Sequence, residues 1–383
     1  MNSKTLCIGG FDHVKAVCIG GGYPVVIQTM WKDRLSFDDL QGETGETLIA
    51  RINALEALGC GLLRFAVPDM QSAEIIGRLA LMVSMPIVAD IHFDYTIALR
   101  CLDFPIAKLR INPGNIGKLS RVEAVLSKAA EKKRPIRIGV NAGSLPLELR
   151  SKVAQGMDAA QALVLAAERE LAIFRKFEFS DVLVSMKASG IADTIKANRL
   201  LSERTDVPLH IGLTEAGPLL AGAVRNTAAL VSLLGEGIGD TIRVSLSDTV
   251  ENEVIAAREI LAAAYDCSGN TAIRERLKQR GVRVISCPRC GRAGFDTHAF
   301  TGRWMRRLYS LDMDRTIAVM GCAVNGPGEA KHAHLGITGA GDSIIIFRHG
   351  KVIKTIKTKD NEEIDRAFEE ELGACSVEAR QIP

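Results

Sequence analysis

Eight short aliphatic runs, separated by helix-period segments, occupy residues 25–265 and leave few folds open. They are Val25–Met30, Leu62–Val67, Pro86–His92, Ala107–Asn112, Pro135–Ala142, Asp181–Ala188, Pro208–Glu215 and Thr241–Ser247. Between them lie amphipathic stretches such as Thr47–Leu58, which stops at Gly59, Asp158–Phe174 and Glu251–Ala264. Repeated strand–helix units predict a parallel sheet with right-handed crossovers, and eight of them predict an α/β fold, a (β/α)8 TIM-like barrel. A doubly wound open sheet would carry a glycine-rich turn after its first strand, whereas Gly20-Gly21-Gly22 precedes the first run. The 383-residue length exceeds one ordinary core, and the composition changes near residue 270, so two domains are expected: 1–268 as the barrel and 269–383 as a small α+β module.

Composition excludes several classes. With 47% hydrophobic residues the chain is not disordered, and with 5% aromatics it lacks the ring-rich basic surface that stacks nucleic-acid bases. A net charge of +3 implies no polyanion-binding surface. No run of about 18 apolar residues exists, and Met1-Asn2-Ser3-Lys4-Thr5 lacks an apolar signal core. The expectation is a cytoplasmic protein with no membrane segment and no nucleic-acid partner. Nine cysteines in such a chain read as reduced thiols, some recruited to a metal, rather than as disulfides.

Barrel strands are buried on both faces, so a charge within one is costly unless it points into the C-terminal mouth. The runs nevertheless hold Arg64, Arg110, Arg137, Lys187 and Arg243, against the carboxylates Asp90 and Glu215. That surplus predicts a compact, multiply charged anion, and arginine forks match phosphate oxygens. Neutral donors at neighbouring positions are Asn112, Asn141, Ser144, Thr214 and Ser245. The opposing view pairs each arginine with a surface carboxylate.

In the last third, Val282–Cys287 and Thr316–Met320 read as strands, Ser343–Phe347 and Lys351–Ile356 as a hairpin, and Asn361–Leu372 as an acidic helix. Cys287 and Cys290 form a Cys-x-x-Cys turn, and Cys322 begins the loop that ends at Gly326-Pro327-Gly328-Glu329. A zinc ribbon would need a second knuckle. Three thiolates on glycine- and proline-rich loops fit a [4Fe–4S] cluster whose fourth iron has a weaker ligand. Glu329 is the nearest candidate, with His298, His332 and His334 as rivals; structural zinc and inert cysteines remain the alternatives. Cys7, Cys18, Cys60, Cys101, Cys267 and Cys375 have no partner at motif spacing and read as small hydrophobes. Arg303, Arg306 and Arg307 near Trp304 read as a solvated helix face, with docking of an acidic electron carrier as the alternative.

The ordered motifs Val88–Asp94, Leu109–Gly117, Arg137–Ser144, Lys187–Ser189, Thr214–Gly217, Gly237–Ser245 and Asn325–Glu329 resemble those of the 4-hydroxy-3-methylbut-2-enyl diphosphate synthase family of the non-mevalonate isoprenoid pathway, in its short bacterial form. The resemblance implies reductive ring opening of 2-C-methyl-D-erythritol 2,4-cyclodiphosphate. Two electrons from ferredoxin or flavodoxin would pass through the cluster, in a homodimer. It further implies Glu215 as the acid residue and Gln28, Arg64, Asp90, Arg110, Asn112, Arg137, Asn141, Ser144, Lys187, Thr214, Arg243 and Ser245 around the substrate, with Cys287, Cys290, Cys322 and Glu329 on the cluster. One departure stands out. The family reads Gln-Ser-Met-Thr-Asn-Thr where this chain has Gln28-Thr29-Met30-Trp31-Lys32-Asp33, and Trp31 is read as a cover for the barrel rim, with packing over the pocket as the alternative. The competing function is a phosphate-ester- or pterin-binding barrel transferase with a structural zinc module.

Overall fold

The computed structural model describes residues 3–380. Two compact units divide at Gln279/Arg280. The first begins with an antiparallel pair, β1 (Leu6–Ile8) and β2 (Val17–Ile19). The expected eight strands follow in order: β3 (Val26–Met30), β4 (Cys60–Ala66), β5 (Ile87–Asp90), β6 (Lys108–Ile111), β7 (Ile136–Asn141), β8 (Val182–Lys187), β9 (His210–Ile211) and β10 (Thr241–Ile242). Each hydrogen-bonds its neighbour in parallel, β10 returning to β3, and a single bridge from Val184 to Leu209 closes β8 onto β9. The result is a TIM-like barrel with helices between the strands, among them Gly42–Ala57, Met70–Met82, Ala159–Lys176 and Val250–Cys267. Asp158 and Thr249 cap the last two, their side-chain oxygens accepting from the amides of Gln161 and Asn252.

The first hairpin was not anticipated. Its Leu6, Ile8 and Ile19, with Val14 of the connecting loop, pack on Leu62, Val88, Ala107 and Leu183, stopping the barrel at the end opposite its mouth. The strand register sets Cys7 opposite Cys18, and the two form a disulfide. This corrects the reading of both as isolated small hydrophobes. Cross-strand proximity joins them, and a separation of 11 in sequence does not reveal it.

The second unit has a five-stranded sheet, β11 (Arg283–Ser286), β12 (Thr316–Met320), β13 (Leu335–Ala340), β14 (Ser343–Arg348) and β15 (Lys351–Ile356), hydrogen-bonded in that order. Helices Thr297–Tyr309 and Asn361–Arg380 share its core through Phe300, Trp304, Leu308 and Phe368. Arg303 pairs with Asp365 at 3.0 Å, Arg307 pairs with Glu369, and the Trp304 indole donates to Asp365 at 2.8 Å. Arg303, Arg306 and Arg307 are exposed, as a solvated face requires, and Arg303 and Arg307 also pair with the acidic helix. Among the described residues no helix is long and apolar enough to cross a membrane.

Candidate active site

Register and strand polarity gather the barrel's charges at one end. Asp90, Arg110 and Arg137 are successive cross-strand neighbours on β5, β6 and β7, and Asn141 is opposite Lys187 of β8. The Asp90 carboxylate accepts from Arg110 Nη1 at 2.9 Å and is 3.6 Å from Arg64 Nε. Burial alone would raise the Asp90 pKa. The hydrogen bond with His92 and the charges of Arg64, Arg110 and Arg137 outweigh it and hold the carboxyl well below its usual range. His92 Nε2 lies 2.9 Å from Arg110 Nη1 and 3.6 Å from Asp90 Oδ1.

Arg243 is held at Nη2 by Glu253 (3.0 Å) and at Nη1 by the Ser245 hydroxyl (3.2 Å). Glu253 also accepts from Thr29 Oγ1 and the Leu246 amide, and it lies 3.1 Å from Lys32 Nζ. Glu253 comes from a helix outside the predicted strands, so it belongs to the pairing that strand inspection missed. Lys108 was missed too, although it sits inside the run Ala107–Asn112 and obeys the same rule as Arg110. It is fully buried and donates to Gln28 Oε1 at 3.1 Å. His210, likewise fully buried, lies 3.2 Å from Lys187 Nζ through Nε2 and 2.7 Å from Thr241 Oγ1 through Nδ1.

Six basic side chains thus face two buried carboxylates. Arg137 is 1% exposed, and among the described residues its Nε and Nη1 have no hydrogen-bond partner; Gln28 Nε2, Arg64 Nε, Arg110 Nε and Arg243 Nε are also buried without one. Burial lowers the Arg64 pKa to about 10 and, with the neighbouring cations, holds Lys108, Arg137, Lys187 and His210 well below their ordinary values. Unpaired donors buried at such cost have the chemistry to bind an acceptor-rich anion. Two glycines make the room: a Cβ on Gly139 would stand 2.4 Å from Arg110 Nε, and one on Gly212 would stand 3.0 Å from Lys187 Nζ.

The neutral candidates sit at or just past the C-terminal ends of the strands. Asn112 and Ser144 line a cavity of about 400 Å³ beside Glu170, whose pKa burial raises to about 7. Ser144 donates to the Asn141 carbonyl at 3.3 Å, and the Thr214 amide to that of Ala188 at 3.2 Å. Glu215, exposed after β9, has a left-handed backbone (φ 54°) and no ion pair among the described residues. Its structural role as an arginine's partner therefore finds no support. Such strain in a non-glycine residue collects at functional sites. Trp31 does more than cover the rim: it is buried against Phe65 and walls a second cavity.

In the second unit, Cys287 and Cys322 follow the ends of adjacent parallel strands, β11 and β12. Cys287 Sγ is 3.7 Å from the place of a Cβ on Gly321, next to Cys322. Cys290 follows on the turn, its thiol drawn below the ordinary value by hydrogen bonds from the Arg292 amide and side chain. Glu329 ends the wide helical turn Val324–Glu329. Among the described residues no three of His, Cys, Asp or Glu close on one point. Three soft thiols, two just past neighbouring strand ends and one on the turn, nonetheless suit an iron–sulfur cluster in donor chemistry. His334 is committed elsewhere, its Nδ1 accepting from the Thr316 amide at 3.0 Å.

Residues 12–258 match the GcpE TIM-barrel domain and residues 283–373 the GcpE protein C-terminal domain. The 4-hydroxy-3-methylbut-2-en-1-yl diphosphate synthase (flavodoxin) of Treponema pallidum is 50% identical over 386 residues, covering 97% of this chain and 92% of the relative. That of Treponema denticola is 49% identical over 393 residues, covering 96% and 97%. Among solved structures, a Xanthomonas albilineans dihydropteroate synthase aligns with TM-score 0.44 and 13% identity, over 68% of this chain and 97% of that one, a likeness too slight to speak to chemistry.

Proposed function

The chain belongs to the GcpE family of 4-hydroxy-3-methylbut-2-en-1-yl diphosphate synthases, and from that premise we propose how its residues divide the work. It is an oxidoreductase of isoprenoid biosynthesis that converts 2-C-methyl-D-erythritol 2,4-cyclodiphosphate to 4-hydroxy-3-methylbut-2-enyl diphosphate. The conversion takes up two electrons and protons, breaks a ring C–O bond and releases a hydroxyl as water.

The observation that carries the assignment of roles is Arg137, buried with two N–H groups unpaired among five further cations. Arg64, Lys108, Arg110, Arg137, Lys187 and Arg243 bind the cyclic diphosphate, and Asp90 and Glu253 hold Arg110 and Arg243 at fixed angles. Asn112, Asn141, Ser144, Thr214 and Ser245 add neutral donors at the rim, and Gln28 aligns Lys108 from below. Glu215, at the mouth and free of ion pairing among the described residues, gives its carboxyl proton to the departing hydroxyl oxygen. Cys287, Cys290 and Cys322 would hold a [4Fe–4S] cluster, with Glu329 as the weaker fourth ligand. When bound, the cluster supplies single electrons and one iron with Lewis acidity toward a substrate oxygen. Flavodoxin is the electron donor that the relatives' activity supports.

The test is anaerobic turnover of the cyclodiphosphate by the iron-loaded protein with reduced flavodoxin. Product formation is expected, with Glu215→Gln lowering kcat by about a hundredfold or more at little cost in KM. An iron-loaded protein that binds the cyclodiphosphate but does not reduce it would overturn the reading.

A further inference from the structure

The loop after β3 walls a cavity of about 620 Å³ that Arg243 of the cation cluster also lines. Trp31, Phe65, Ile75, Ile76 and Leu246 give it apolar walls, and Ser72, Ser247, Asp248 and the charged loop residues add polar ones. Trp31 is 5% exposed and stacks on Phe65 with ring centroids 5.7 Å apart, yet its indole N–H has no hydrogen-bond partner.

The charged residues of the loop are already spent. Lys32 is 3.1 Å from Glu253 and donates to the Leu246 carbonyl, Asp33 lies 3.4 Å from Arg51, and Arg34 lies 3.1 Å from Asp69. Arg243 links the cavity to the cluster, its Nε without a partner among the described residues. A ligand suited to this space has an apolar body, one acceptor within reach of the indole and an anionic end on Arg243. The cyclodiphosphate, a compact hydroxylated ring, has no apolar chain to place here.

We propose that this cavity takes the hydrocarbon chain of an allylic diphosphate whose diphosphate sits in the cation cluster, so that such esters occupy the enzyme in competition with its substrate. The proposal rests on the diphosphate reading of the cluster, and the experiment separates the two. Inorganic pyrophosphate, dimethylallyl diphosphate and geranyl diphosphate are titrated calorimetrically into the iron-loaded protein under nitrogen. Affinity is expected to rise at least about tenfold from pyrophosphate to geranyl diphosphate, as apolar chain leaves water. Geranyl diphosphate should also raise the apparent KM for the cyclodiphosphate without lowering kcat.

Trp31→Thr and, independently, Ile75→Thr should remove most of the gain from the chain while leaving pyrophosphate affinity unchanged. Pyrophosphate binding with no gain from the chain, or an equal gain in both variants, overturns the proposal and spares the cluster reading. If pyrophosphate itself does not bind, the cluster reading falls and this proposal with it.

Discussion

Arg137 shows what the site costs. Its guanidinium has given up water for a cavity of like charges, and two of its N–H groups await an acceptor. Replacing it by an apolar side chain of similar length removes that penalty, so Arg137→Met should raise the melting temperature of the ligand-free protein by about 2–4 °C. The same change should weaken pyrophosphate binding by about a hundredfold, since charge-assisted hydrogen bonds are lost. Calorimetry reads both effects, and a variant that is less stable and still binds would refute the account. His210 gives a pH signature. Burial first, then Lys187 and its other cationic neighbours, hold it neutral in the fold, whereas the unfolded chain takes up a proton near pH 6.5. Below that pH the unfolded state binds the extra proton, so stability should fall between about pH 7 and pH 5, and His210→Asn should flatten the decline. An unchanged slope in the variant would place the titrating group elsewhere.

At the scale of elements, all eight barrel strands were legible, because strands buried on both faces must be continuously aliphatic and their helices amphipathic. The arginines inside them were legible for the same reason: a charge in such a run has to face a ligand or a partner. Lys108 and His210 escaped although they sit inside runs, and the rest came from outside the runs or from pairing between them. Glu253 reaches the cluster from a helix, and Cys7 meets Cys18 only through the register of a hairpin. That disulfide closes a short loop on the barrel's stopper. Its reduction, or Cys7→Ser, should cost about 2–3 kcal/mol in urea unfolding, and no change under reductant would count against the bond. Gly139 is the matching test on a strand. A Cβ there meets Arg110 at 2.4 Å, so Gly139→Ala should weaken pyrophosphate binding by about tenfold or more with the circular dichroism spectrum retained.

For the whole molecule, the division into two units implies separable functions. Cys322→Ser should abolish iron incorporation, seen as loss of absorbance near about 410 nm, while pyrophosphate still binds the barrel. Loss of both together would mean that the cysteine unit is needed to form the anion site. Sequence by itself determined the order of the strands, the two-part organisation and the kinds of group at the mouth. Each of these is a local matter of hydrophobic period and residue type along the chain. Only the tertiary structure decided which of those groups neutralise one another and which stay unpaired. Pairing depends on angles and distances of a few ångströms between strands far apart in sequence, and the aliphatic pattern is indifferent to them. Arg110 and Arg137 look alike in their runs, yet one rests on Asp90 while the other keeps two buried donors without a partner among the described residues.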